Sequence, residues 1–209
     1  MHLRTKTALL LAGFALASAT VSRAWSGPAG KSWDFESDAP GKAAKGFTTE
    51  VGRWDVADDA GNHVLAQRAE SEDAVFNIAL AEGADYKDVD LSVRVKAVAG
   101  KEDQGGGLVW RFKDKNNYYV ARYNPLEDNF RLYKVENGKR TQFHSANIPG
   151  DRNWHTLRVT MKGPRIACYL DGKKYLEAND ATFTGPGKIG LWSKADARSY
   201  FDDLTVHGE

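Results

Sequence analysis

Apolar and polar residues alternate along most of this chain with a period of two. The clearest case is Val89-Asp90-Leu91-Ser92-Val93-Arg94-Val95-Lys96-Ala97-Val98, which puts Val89, Leu91, Val93, Val95 and Ala97 on one side. Successive strand side chains point to opposite faces, so the segment reads as a half-buried β-strand. Further strands are predicted at 33–35, 54–56, 63–67, 74–80, 107–112, 118–123, 130–135, 156–161, 165–170, 173–178, 187–193 and 200–206. Asp58-Asp59-Ala60-Gly61, Asn137-Gly138, Gly163-Pro164, Asp171-Gly172 and Gly185-Pro186-Gly187 punctuate them, and Asn-Gly and Asp-Gly tolerate the positive φ that tight hairpins need. No stretch keeps a helical period, and no repeat of fixed length is visible. Many short strands with frequent turns predict an all-β sandwich, a jelly roll of two antiparallel sheets.

The hairpin at Asn137-Gly138 allows register to be argued. A two-residue turn sets Glu136 against Lys139, Tyr133 against Gln142, Leu132 against Phe143 and Arg131 against His144. Phe130, Leu132 and Phe143 then face the core, and Arg131, Tyr133, Gln142 and His144 form a polar and aromatic platform. The preceding hairpin has a longer loop, residues 113–117. Its preferred register sends Leu108, Trp110, Phe112, Tyr119, Ala121 and Tyr123 inward and adds Arg111, Tyr118 and Arg122 to the platform. A one-residue slip would put Trp110 on the face of Arg122 instead.

Such a platform has the chemistry of sugar recognition. Flat rings stack on the C–H faces of pyranoses, and planar donors and acceptors bind paired hydroxyls. The candidate ligand-binding residues are therefore Trp110, Arg111, Tyr118, Arg122, Asn124, Arg131, Tyr133, Gln142 and His144. Residues 124–129 join two platform strands, as a simple turn or as the rim of a site, and Glu127 in that loop is the one candidate catalytic residue. Glycosidase chemistry needs two carboxylates facing each other across a cleft, and nothing in the spacing places two on one face.

The N-terminus adds a second kind of information. Arg4 and Lys6 precede an apolar run, residues 7–17, followed by small residues suited to cleavage after Ala19 or Ala24. Residues 1–24 are thus expected to be a signal peptide and 25–32 a linker, leaving one domain at 33–209 that is secreted or periplasmic. The apolar run is too short for a comfortable membrane span, and with no cysteine after the cleavage site no membrane anchor is expected. Losing residues 1–24 removes Arg4, Lys6 and Arg23 and no acid, which moves the formal charge from +1 to −2. A near-neutral surface of mixed signs offers no electrostatic reason to expect nucleic acid as partner.

Cys168 is the only cysteine, which excludes an intramolecular disulfide. It shares parity with Ile166 and Leu170 and reads as a buried core thiol. His63, His144, His155 and His207 lack metal-ligand spacing, so no zinc site is expected. Asp202 and Asp203 in the last strand could meet Asp34 or Glu36 in the first, a seam suited to structural calcium; solvated strand ends are the alternative. Trp154-His155 precedes a strand and reads as packing.

Several motifs together resemble a known group. They are Gly107-Leu108-Val109-Trp110-Arg111-Phe112, Asn117-Tyr118-Tyr119-Val120-Ala121-Arg122, Leu126-Glu127-Asp128-Asn129-Phe130-Arg131-Leu132-Tyr133-Lys134-Val135, Trp154-His155-Thr156-Leu157-Arg158-Val159, Asp171-Gly172-Lys173, Gly187-Lys188-Ile189-Gly190-Leu191-Trp192 and Phe201-Asp202-Asp203-Leu204. The chain resembles secreted bacterial proteins with the concanavalin A-like (LamG/glucanase-like) jelly roll, nearest to the 3-keto-disaccharide hydrolase-type domain, whose relatives often carry a family 16 glycoside hydrolase label. The resemblance runs from about Trp33 to Val206. It implies the jelly roll and, as an activity, hydrolysis of a glucan or a 3-keto-disaccharide. The Glu-x-Asp-x-x-Glu strand of family 16 glucanases is absent, and Gly105-Gly106-Gly107 stands where the 3-keto-disaccharide hydrolases usually have Asn-Ser-Gly. The leading expectation is accordingly a carbohydrate-binding domain, with glycoside hydrolysis and then adhesion or protein interaction as alternatives.

Overall fold

The structure is a computed structural model that describes residues 30–209; the expected signal peptide and most of the expected linker lie outside the described residues. The strands in chain order are β1 Lys31–Trp33, β2 Phe47–Val51, β3 Trp54–Asp59, β4 Asn62–Gln67, β5 Phe76–Tyr86, β6 Val89–Ala99, β7 Gly106–Asp114, β8 Asn117–Asn124, β9 Asn129–Glu136, β10 Lys139–Asn147, β11 His155–Lys162, β12 Arg165–Leu170, β13 Lys173–Asn179, β14 Gly187–Lys194 and β15 Arg198–Gly208. No helix occurs among the described residues. β1 begins inside the stretch expected to be linker, since Lys31 and Ser32 pair with Val206 and Thr205.

Two antiparallel sheets form the jelly roll. One runs β13-β12-β11-β6-β15-β4-β3, with β1 also on β15, and the other runs β10-β9-β8-β7-β14-β5-β2. β15 serves both β4, through residues 199–201, and β1, through residues 204–206, because a register shift with Asp203 at φ 48° separates the two halves of that edge. The alternation read in β6 is realised: Val89, Leu91, Val93, Val95 and Ala97 are buried and the intervening residues are half-exposed. They meet Leu108, Trp110, Tyr119, Ala121 and Leu132 of the opposite sheet in the core between the layers, with Cys168 fully buried among them. Burial pushes the Cys168 thiol pKa up, which keeps it protonated and inert.

β1 covers 31–33 where 33–35 was expected, since Phe35 takes a φ of 60° and lies outside the strand, and two further strands differ from expectation. β2 was not anticipated, because Phe47-Thr48-Thr49-Glu50-Val51 shows almost no burial contrast and takes its identity from pairing with β5. β5 runs six residues beyond the predicted Leu80, through Ala-Glu-Gly-Ala-Asp-Tyr. That composition reads as a turn, yet a register shift in β14 lets Lys188 and Gly187 pair with Asp85 and Tyr86.

Candidate functional site

Over much of β5, β7, β8, β9 and β14 the seven-stranded sheet buries both of its faces. Its outer face carries a second apolar layer made only of its own residues: Ile78, Leu80, Val109, Tyr118, Val120 and Trp192, among others. Curvature explains the burial. The Arg140 guanidinium lies 4.7 Å from the Tyr133 ring centroid on β9 and 5.2 Å from the Phe76 centroid on β5. Four strand spacings separate β9 from β5, roughly 19 Å in a flat sheet. The face must therefore curl into a concavity, which Arg140 spans by stacking on both rings. Below it Phe76 packs on Trp192 at 5.3 Å, and Trp192 Nε1 donates to the Tyr118 hydroxyl at 3.3 Å.

One end of this concave face is polar. Arg122 on β8 stands directly opposite Arg131 on β9. Arg122 Nη1 donates to Asp103 Oδ1 at 3.0 Å and Nη2 to Glu127 Oε2 at 2.7 Å, while Arg131 Nη1 donates to the same Glu127 oxygen at 2.9 Å. Asn124 Nδ2 donates to Asp103 Oδ1 at 2.8 Å, and Asn129 Nδ2 to Glu127 Oε2 at 3.0 Å. Lys194 Nζ approaches Asp103 Oδ2 at 3.7 Å and also pairs with Asp73. Arg122 and Asp103 are almost fully buried, whereas Glu127 is 39 % and Arg131 31 % exposed, so the cluster has a closed floor and an open mouth.

The loop that presents Glu127 is built by local chemistry. Asn124 Oδ1 accepts the backbone N–H groups of Leu126 and Glu127, an Asx turn, and Asp128 takes a φ of 51°. A second segment braces it: Asp128 Oδ1 accepts from the Gly150 N–H at 2.7 Å, and a Cβ at Gly150 would stand 2.0 Å from the Pro125 carbonyl oxygen. Only glycine allows so close an approach.

Electrostatics separates the two carboxylates. Burial raises the Asp103 pKa above the usual range, with Arg122 and Lys194 pulling the other way. Burial also works to raise Glu127, but there the Asn129 hydrogen bond and the two arginines prevail and hold it below its usual value. An ionised, doubly paired Glu127 is an acceptor for donors such as hydroxyls and is not poised as a general acid at neutral pH. Arg122 is held more basic than usual: burial opposes its charge, and Asp103, Tyr133 and Glu127 outweigh burial.

Three buried polar atoms in this cluster have no hydrogen-bond partner: Asp103 Oδ2, Arg122 Nε and Asn129 Oδ1. Arg140 Nη1 on the concave face is a fourth. Unpaired buried polar atoms cost about 1–3 kcal/mol each, so a concentration of them marks a place where hydrogen-bonding capacity is held in reserve.

The sequence-derived candidates divide sharply. Arg122, Asn124, Glu127 and Arg131 converge in the polar cluster; Tyr133 and Tyr118 lie on the same concave face, nearly or fully buried. Gln142 pairs with Tyr133 as expected and is exposed. Trp110 does not face this site: it pairs with Tyr119, stacks on that ring at 5.7 Å in the core, and its Nε1 donates to Met161 Sδ at 3.1 Å. Arg111 is not on the platform either. Its φ of 46° breaks the β7–β8 register after Trp110, which turns Arg111 toward the sandwich end and delivers Phe112, expected inside, to the concave face against Tyr118. There Arg111 donates to the carbonyls of Lys87, Phe183 and Gly163 and to Asp88.

His144 is displaced by a second bulge. Tyr133 pairs with Gln142 but Leu132 pairs with His144, leaving Phe143 as the extra residue packed on the core. His144 thus shares the side of Leu132 and lies near Glu177 at the seam between the sheets, away from Arg131. Asp203 pairs with Arg94, Asp202 is bound by Asn62 and Arg94, and Glu36 accepts the His63 N–H. No group of three or more His, Cys, Asp or Glu side chains that could hold a metal occurs among the described residues.

Sequence reasoning missed Asp103, Asn129, Lys194 and the Arg140–Phe76 span. Asp103 comes from a loop whose only signal in the sequence is the polar pair Asp103-Gln104 before three glycines, its burial showing only in the structure, and Arg140 and Phe76 meet only through sheet curvature.

The comparisons with known proteins agree with this architecture. The carbohydrate-binding module CBM66 from Bacillus subtilis superposes with a TM-score of 0.67 and 27 % identity, covering 78 % of this chain and 96 % of that one. A levanase of Bacillus subtilis (strain 168) is 28 % identical over 166 residues, 77 % of this chain and 22 % of the enzyme. An extracellular exo-alpha-L-arabinofuranosidase of Streptomyces chartreusis is 27 % identical over 142 residues, 66 % of this chain and 16 % of the enzyme. The chain therefore spans about a fifth of the length of these curated relatives. Residues 34–207, nearly the whole described chain, match the family model itself, and the protein belongs to the 3-keto-alpha-glucoside-1,2-lyase-like domain family.

Proposed function

We propose that this domain binds carbohydrate at the polar end of its concave face, with Arg122, Arg131, Glu127, Asp103 and Asn129 reading sugar hydroxyls. The observation that carries the reading is the open mouth of the cluster, where Glu127 and Arg131 are exposed over a floor with three buried atoms that make no hydrogen bond: Asp103 Oδ2, which Lys194 approaches only at 3.7 Å, Asn129 Oδ1 and Arg122 Nε. Vicinal hydroxyls match that set, since one donates to a carboxylate or amide oxygen while its neighbour accepts from a guanidinium. Tyr133 and the partly exposed Arg131 supply the flat surfaces beside it. Similarity to a carbohydrate-binding module and to a levanase supports the same reading, and the relative described as extracellular supports a secreted setting.

Calorimetric titration with levan-type fructans, arabinotriose and glucans tests it. Binding that disappears in Arg131→Ala while the fold is kept is the expected result; no binding to any glycan sinks the reading. Turnover of a glycoside or 3-keto-disaccharide is the second reading, favoured by the family's description and by the divergent carboxyl groups of Asp103 and Glu127 on either side of Arg122. Product release from a 3-keto substrate that is abolished in Glu127→Gln would establish it.

A further inference from the structure

Positive charge gathers at the sandwich end next to the polar cluster. Two clefts there, of about 360 and 580 Å³, meet at Arg198 and Glu70. Lys101 and Arg152 line the first with Asp196, and Arg53 and Arg68 line the second. Internal pairing leaves much of this charge unused. Arg68 is bound to Asp55 at 2.5 Å, with Arg53 3.7 Å from the same carboxylate, and Arg198 reaches Glu70 only at 3.9 Å between two exposed side chains. Lys101 and Arg152 make no ion pair among the described residues. Asp196 is turned inward, its carboxylate accepting the backbone N–H groups of Lys101, Glu102 and Asp103 at 2.6, 3.1 and 3.1 Å.

That last contact ties the clefts to the sugar site. Residues 101–103 are gathered on Asp196 on one side, and from the other Asp103 reaches Arg122 and Asn124. Arg152 follows Gly150 and Asp151, the segment packed on the Glu127 loop. One thin wall thus separates the polar cluster, where each arginine already faces a carboxylate, from a cleft in which Arg152 and Lys101 face none and Arg198 reaches Glu70 only at 3.9 Å.

We infer that these clefts extend the site to an anionic glycan: a chain held at Arg122 and Arg131 by neutral hydroxyls places a uronate carboxylate against Arg152, Arg198 and Lys101. The inference rests on the sugar-binding reading above. A guanidinium presents paired donors that match a carboxylate, and several cations spaced along two joined clefts suit carboxylates repeated along a polymer. The polar cluster itself disfavours such a group, because Glu127 would face it with like charge.

Titration of the full domain with an oligogalacturonide and with its fully methyl-esterified form tests the inference, with a sulfated oligosaccharide as a third arm and levan and arabinotriose as neutral references. At low ionic strength the acid form is expected to bind about fivefold tighter than the ester or more, an advantage that salt erodes. The double variant Arg152→Ala with Arg198→Ala, both exposed positions, is expected to abolish the advantage and leave neutral binding unchanged. Equal affinity for acid and ester, or an advantage that survives the double variant, overturns the inference and leaves the sugar-binding reading intact. Tighter binding of the sulfated arm overturns the carboxylate assignment, and failure of every neutral reference overturns the sugar-binding reading itself.

Discussion

Arg122 and Asp103 face each other at 3.0 Å with both side chains 2 % exposed, across 19 residues of chain. Between a β-strand and a glycine-flanked loop, this buried pair fixes the floor of the polar cluster. Asp103→Ala should destabilise the domain by about 3–5 kcal/mol, because it leaves a buried guanidinium with Glu127 as its remaining partner and frees the Asn124 amide. Denaturant unfolding followed by tryptophan fluorescence measures the loss; a change below about 1 kcal/mol would mean that water reaches Arg122.

The two residues of the Trp110-Arg111 dipeptide should both behave as structural. Trp110→Ala removes a ring wholly inside the core and should cost about 3–5 kcal/mol. Arg111→Ala strips the donors from the carbonyls of Lys87, Phe183 and Gly163 and should cost about 3 kcal/mol or more. Arg131→Ala, by contrast, should change stability by less than about 1 kcal/mol and remove ligand binding. Paired unfolding and titration experiments separate the two classes.

Glu127 gives the fold an acid-side dependence. Its folded pKa lies below the ordinary value near 4.5, so its contribution is complete above that pH and is lost as pH falls through the lower folded value. Wild type should therefore lose its stability advantage over Glu127→Gln below pH 4.5, in thermal melts recorded as a function of pH. An advantage that stayed constant through that range would show Glu127 to be unpaired in solution.

His155 should act in the opposite direction. Its ring sits between Asp171 Oδ2 at 2.7 Å and Asp151 Oδ1 at 3.0 Å, against the Tyr123 ring. Burial would lower its pKa, but the two carboxylates win and raise it. A raised folded pKa means a contribution that is full below the unfolded value near 6.5 and fades as pH climbs through the folded one. Melting temperatures of wild type and His155→Gln should differ most in mildly acidic buffer and converge in alkaline buffer.

Where strands stay in simple alternation, local pattern and structure coincide. β6 is the plainest example, and the turns at Asn137-Gly138 and Asp171-Gly172 follow from residues whose φ angles, 51° and 79° or 49° and 78°, lie in the left-handed region. Cys168 likewise inherits its burial from the parity of Ile166 and Leu170. The Arg122–Arg131 juxtaposition was legible too, because both lie on regularly paired stretches of adjacent strands.

Parity fails at a bulge, where one extra residue reverses the face of all that follows. Arg111 with Phe112, and His144, were misplaced for this reason, whereas Phe143 keeps its expected place on the core; a bulge is stabilised by contacts from elsewhere: the carbonyls that receive Arg111 come from three separate loops. The sequence by itself determined an all-β sandwich, most of its inward residues and the strand pair that carries two arginines, because period-two alternation and turn chemistry are local properties. Only the tertiary structure decided that Asp103 lies under Arg122, that Glu127 is clamped by two arginines, and that Arg140 spans the curled face from Tyr133 to Phe76. Those contacts join loops and strands far apart in the chain, and their existence depends on sheet curvature and register, which no single segment encodes.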